Sequence, residues 1–154
     1  MFRSILIGLI AGMRSMTPLA AVSAAVARGR LPRDHGAPAL LGHPLVMAGT
    51  AAVAAGELVG DKLPSAPDRI IAPGIAARLV TGAVAGAALA PRRRRKLAAL
   101  AGAAAAVVAA YVTFDLRMRA LRRYGQRRTG LIEDALVLGA TAWVMNAAAT
   151  EAKS

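Results

Sequence analysis

The chain has 154 residues, 56% of them hydrophobic and only 3% aromatic, with a formal charge of +12 and no cysteine; its mean hydropathy is +0.50. Such a composition is too apolar for a water-soluble domain of this length, and it excludes a disulfide framework or a thiolate metal site. The cations sit at the edges of apolar runs with no interleaved aromatic face, which fits the flanks of membrane spans and argues against a nucleic-acid partner.

In chain order, the first apolar segment, 5–27, has about the ~20 residues that cross ~30 Å of hydrocarbon. Arg3 before it and Ala25-Val26-Ala27 at its end give it the outline of a secretory signal peptide, but Arg14 inside the apolar stretch argues against cleavage. The pattern predicts a first membrane helix, broken or kinked at Pro18. The loop from Arg28 to His43 is polar and holds both histidines, His35 and His43, as solvated loop residues rather than as a metal pair.

Segment two, 44–63, opens on Pro44, a favourable first-turn residue. At 1.5 Å of rise per residue Glu57 lies on the order of 20 Å into it, below the headgroups, with Asp61 and Lys62 at the interface. Pro64, Pro67 and Pro73 forbid a continuous helix, so Pro64 and Asp68 belong to a stiff, charged turn. Segment three, 73–90, contains Arg78, Thr81, Gly82 and Gly86. The basic block from Arg92 to Lys96 separates it from segment four, 97–115. The basic stretch from Arg117 to Arg128 is compatible with a helix lying along a membrane surface before Gly125. Segment five, 131–149, carries Glu133 and Asp134 in its first turn, where a helix N-terminus favours negative charge. The expected architecture is all-α: a single-domain, small polytopic membrane helix bundle of about five segments.

Two regularities cross these segments. Gly8 with Gly12, Gly56 with Gly60, and Gly82 with Gly86 put a small-x-x-x-small face on segments one, two and three. The expectation is that these three pack together through glycine, with segments four and five outside or beside them. The second regularity is Arg14-Ser-Met-Thr17-Pro18 against Arg78-Leu-Val-Thr81-Gly82, which suggests a two-fold internal repeat, parallel if every segment spans once.

Charges inside apolar segments are costly and mark function or register. Arg14 and Glu57 are the most deeply placed opposite charges in adjacent segments and are expected to face each other or a shared wet cavity. Arg78 lies near enough to its helix start to snorkel. The candidate polar site is Arg14, Thr17, Glu57, Asp61, Lys62 and Arg78, with Pro18, Pro64 and Asp68 shaping turns.

The strings AGMRSMTPLAAV from Ala11 and GELVGDKLPSAPDRI from Gly56, followed by the Arg78 segment, resemble the bacterial membrane-protein family labelled domain of unknown function 4126. The resemblance covers most of the chain and implies a small multi-helix inner-membrane protein, without an activity to carry over. Its characteristic positions fall here on Arg14, Thr17, Pro18, Glu57, Asp61, Lys62, Pro64, Asp68 and Arg78. Gly74 to Arg78 is similar to part of the alcohol-phosphatidyltransferase signature, but the aspartates that signature needs before and after it are missing. No Ser-His-Asp or Cys-His set, metal-binding histidine pair or P-loop occurs. The expectation is therefore a non-enzymatic inner-membrane protein without cofactor or metal. It is transporter- or channel-like, or alternatively a scaffold or lipid-binding protein whose basic loops meet anionic headgroups. The glycine faces are also compatible with a homo-oligomer. Five spans leave the flanking cations balanced on the two sides, so the sequence assigns no orientation.

Overall fold

The computed structural model describes residues 1–60 and 71–152. Its regular elements are helices: α1 Phe2–Met13, α2 Met16–Ala27, α3 Pro44–Gly60, α4 Ala72–Ala88, α5 Arg95–Tyr124 and α6 Gln126–Glu151, with short 3-10 turns at Ala39–Gly42 and Arg92–Arg94. The all-α expectation holds, but the first apolar segment is two helices rather than one. The end of segment two, with Asp61 and Lys62, and the turn residues Pro64 and Asp68 lie outside the described residues.

The break falls at Arg14, whose extended backbone (φ −141°, ψ 118°) ends α1, and not at Pro18. Pro18 is the third residue of α2, in the first turn, where the amide it lacks would have no intrahelical acceptor. A second correction concerns the basic stretch after segment four. α5 does not give way to a surface helix but runs on for 30 residues, about 45 Å, before turning at Gly125. Gly125 has φ 77° and ψ 165°, a conformation closed to side-chain-bearing residues, and α6 begins directly after it. Among the described residues, α5 and α6 are the two helices long and apolar enough to cross a membrane by length and composition.

Contacts along the helices fix their directions. Arg3 pairs with Glu151 and Arg14 with Asp134, so α1 runs antiparallel to α6. Ala25 and Leu31 pack with Ala148, so α2 returns to the end where α1 began. Together α1 and α2 form a helical hairpin with Arg14 and Ser15 at its tip. α3 runs antiparallel to α2, joined by Ser23 Oγ donating to the Leu41 carbonyl at one end and by Glu57 against Ser15 and Met16 at the other. The loop between α2 and α3 is pinned to the α4–α5 connection by Gly36 N donating to the Ala90 carbonyl (2.7 Å) and Arg92 N to the Asp34 carbonyl (2.8 Å). Both ends of the described chain therefore lie at one end of the bundle, whereas five single passes place them at opposite ends.

Glycine packing is strong, but with a different centre from the expected one. A methyl group added at Gly8, Gly12, Gly82, Gly86 or Gly102 would fall under 3.0 Å from a backbone atom of a neighbouring helix. All five lie where α1 and α4 press their backbones onto α5, which is the hub of this side and not an outer helix. Gly56 and Gly60 of α3, by contrast, face nothing within 4 Å among the described residues. α1 and α4 are antiparallel, with Gly86 beside Ser4 and Arg78 beside Gly12. The first R-x-x-T string, however, crosses the break from Arg14 into α2, which runs parallel to α4, so the strings Arg14 to Thr17 and Arg78 to Thr81 point the same way. Alanines such as Ala85, Ala98 and Ala106 are fully buried, while Phe2, Leu45, Leu100, Leu136 and Trp143 point outward.

Candidate functional site

A helix break inside a bundle strands the last carbonyls of one helix and the first amides of the next. Here each set is met by a side chain from another helix. Arg78 on α4 donates from Nε to the Gly12 carbonyl of α1 (3.0 Å) and from Nη1 to the Gly74 carbonyl on its own helix (2.9 Å). Glu57 on α3 turns its carboxylate to the start of α2, accepting from Ser15 N (3.1 Å), Ser15 Oγ (2.8 Å) and Met16 N (3.0 Å). The cation lies at a C-terminal end and the anion at an N-terminal end, so both charges also favour the helix dipoles.

Arg14 occupies the break itself and is fully buried. Its Nη1 donates to the Glu57 backbone carbonyl (2.8 Å), and its Nη2 forms an ion pair with Asp134 on α6. The residue preceding Asp134, Glu133, pairs with Arg117 on α5. The hairpin tip is therefore tied to α3, α4 and α6 at once by charged hydrogen bonds, each stronger than a neutral one.

The sequence-predicted residues Arg14, Glu57 and Arg78 do converge. Arg14 and Glu57 adjoin as expected, but their link is guanidinium to backbone carbonyl; the carboxylate serves α2 instead. Arg78 is 6% exposed and engaged with the interior rather than snorkelling to an interface. Thr17 stands in the first turn of α2 apart from these bonds, and its hydroxyl oxygen is buried with no hydrogen-bond partner among the described residues. Asp61, Lys62, Pro64 and Asp68 lie outside the described residues.

Asp134, Glu133 and Arg117 were not legible as members of this cluster. With segment five starting at Leu131, the acids read as first-turn residues; α6 starts five residues earlier, at Gln126, and they are interior helix positions. A usable signal did exist. Arg117 and Glu133 each stand eight residues from Gly125, so an antiparallel hairpin turning at that glycine brings them level.

Beside the cluster, α2, α3 and α6 leave a groove of about 500 Å³. Thr17, Leu58 and Leu138 line it near the charged end, and Arg28, Arg30 and Asn146 near the other. Among the described residues no group of three His, Cys, Asp or Glu could hold a metal ion. The two histidines are turn residues whose Nδ1 atoms accept from the Ala37 and Leu45 amides (3.2 Å each). No family model, curated protein or solved structure matches the chain.

Proposed function

We propose that this chain is a multi-pass protein of the bacterial inner membrane with a transporter-like role, in which the groove between α2, α3 and α6 is the pathway and the charged hairpin tip is its closed end. The observation that carries the proposal is the buried break. Arg14, Glu57, Arg78 and Asp134 meet at a helix interruption beside an apolar groove, and irregular backbone at membrane depth is tolerated where it is buried in protein or lines a cavity. The outward-facing Leu, Val, Phe and Trp side chains over an interior of Gly and Ala support the membrane setting, as do the two long apolar helices. At about 18 Å each, α1 and α2 are too short to cross ~30 Å of hydrocarbon and form a re-entrant hairpin in this reading. Its partners are the bilayer and anionic headgroups, and the protein is non-enzymatic. Membership of the domain of unknown function 4126 family belongs to the same proposal.

A second reading has its own support. The Glu57 carboxylate and the Arg14 guanidinium are well engaged, as a purely structural clamp in a lipid-binding scaffold requires. Because the chain has no cysteine, single cysteines distinguish the two. In oriented membrane vesicles, an impermeant maleimide should label Asn146→Cys from one side only, and Leu138→Cys from neither. Adding Asp134→Asn, or Arg14→Lys where that variant folds better, should make Leu138→Cys reactive from the opposite side. No change at Leu138→Cys in a variant that still melts cooperatively would remove the transporter-like reading and leave the scaffold.

A further inference from the structure

The groove has a chemical polarity along its length. Its walls are small and apolar, with Ala21 and Ala24 from α2, Ala51 and Ala55 from α3, and Ala142 and Met145 from α6. Thr17 and Thr141 also line it, but their hydroxyl oxygens are shut away from its surface, so they add no polar lining. At the end remote from the charged tip, two cations stand at the mouth, Arg28 and Arg30, with Asn146 opposite. Both arginines are exposed, and among the described residues neither has an ion-pair partner.

These arginines are presented by a fixed turn. Gly29 N donates to the Val26 carbonyl (3.0 Å) and Arg30 N to the Ala25 carbonyl (2.9 Å), with Gly29 at φ 60°. That pair of bonds closes a helix with a left-handed glycine and fixes the backbone on either side of it. The turn therefore holds two guanidinium groups, which match phosphate oxygens in pairs, at the lip of an apolar slot. From Thr17 to Arg28 the slot follows α2 for 11 residues, which is about 16 Å at 1.5 Å per residue. That is close to one leaflet of a ~30 Å hydrocarbon core.

We propose that the groove holds one acyl chain of an anionic glycerophospholipid from the adjoining leaflet, with the lipid phosphate on Arg28 and Arg30. Among the described residues lining it, charge at one mouth, an alanine-lined wall and a length of one leaflet specify a single-headed amphiphile. A free phosphate would leave the slot empty, and a helix from a second chain would leave the two arginines unanswered. The proposal rests on the membrane reading above and deepens it by naming the class of molecule the pathway takes.

The test is native mass spectrometry of the full chain released into mild detergent from vesicles of phosphatidylglycerol and phosphatidylethanolamine. The wild type should carry one phosphatidylglycerol per chain in preference to phosphatidylethanolamine. Arg28→Gln with Arg30→Gln should weaken retention at least tenfold with unchanged melting. Ala142→Phe, which narrows the slot and keeps both arginines, should abolish it; where that variant fails to fold, Ala51→Leu serves instead. Equal retention of lipid by all variants, retention without headgroup preference, or a wild type that carries a second chain in place of lipid would each overturn the proposal. Bound lipid together with an unreactive Leu138→Cys would leave this inference standing while the transporter-like reading fails.

Discussion

The two sides of the bundle are built from the same small residues and reach opposite results. On the α1, α4 and α5 side, glycines face glycines and alanines across the helix contacts, so backbones meet directly and no space is left for a methyl group at five positions. On the α2, α3 and α6 side, glycines face open space and alanine lines a groove. Small residues thus specify close packing only where the partner helix is also small at the matching level. Elsewhere they specify room. The charged hairpin tip sits between the two sides, with Arg78 reaching in from the packed one and Glu57 and Asp134 from the open one.

That joint is where the comparison breaks most completely. Removing one member of a buried ion pair strands the other, so Asp134→Ala should cost about 3–5 kcal/mol of unfolding free energy in detergent. Arg14→Met combined with Asp134→Leu should regain much of that loss, since both buried charges vanish. A double variant no better than the single one would mean that the guanidinium is needed chiefly for its bond to the Glu57 carbonyl.

The next pair of variants sharpens the contrast between the sides. Gly102→Ala puts a methyl group against the Gly82 backbone and should cost about 1–3 kcal/mol, as overpacking does. Gly56→Ala meets nothing within 4 Å and removes a glycine from a helix interior, so it should stabilise by roughly 0.5–1 kcal/mol. The two changes are chemically identical, and opposite signs in thermal melts are the expected result. Equal signs would mean that α3 gains a neighbour in the assembled state, as a homo-oligomer through its glycine face would supply.

Glu57→Gln is expected to have a smaller effect. The amide oxygen can keep the Ser15 bonds, but the amide nitrogen then faces the Met16 N–H and the negative charge at that helix end is lost, a change of about 1–2 kcal/mol. A much larger loss would show that Glu57 acts through charge beyond its own three hydrogen bonds.

What the sequence made legible follows from what is local. Helix-length apolar runs, the turn glycine and the importance of Arg14, Glu57 and Arg78 can be read from spacing and from the cost of charge among apolar residues. The hairpin could not be read this way, because 23 consecutive largely apolar residues fit one span as well as two half-length arms. The fold-back shows in contacts distant in sequence: Arg3 with Glu151 and Arg14 with Asp134 align α1 along α6, and Ala25 against Ala148 returns α2 to the end where α1 began. The role of α5 as hub was hidden for a related reason. Gly102 has no second glycine four residues away, and its neighbours Ala98 and Ala106 do not stand out in a run where nearly every residue is alanine. Composition limited the contrast available to a pattern.

The smallest expected effect lies on the groove wall. Thr141 is 4% exposed, and its hydroxyl oxygen has no hydrogen-bond partner among the described residues, although a helical threonine can usually reach the carbonyl one turn back, as Thr50 and Thr150 do here. An unpartnered buried hydroxyl is a cost carried by the fold, and valine keeps nearly the same shape without it. Thr141→Val should therefore be neutral or stabilising by up to about 1 kcal/mol in the lipid-free chain, and it should leave retention of phosphatidylglycerol unchanged. A clear destabilisation would mean that the hydroxyl finds a partner when the protein is embedded in lipid. A loss of lipid would place a polar group of the ligand midway along the slot, and the occupant would then not be a simple acyl chain.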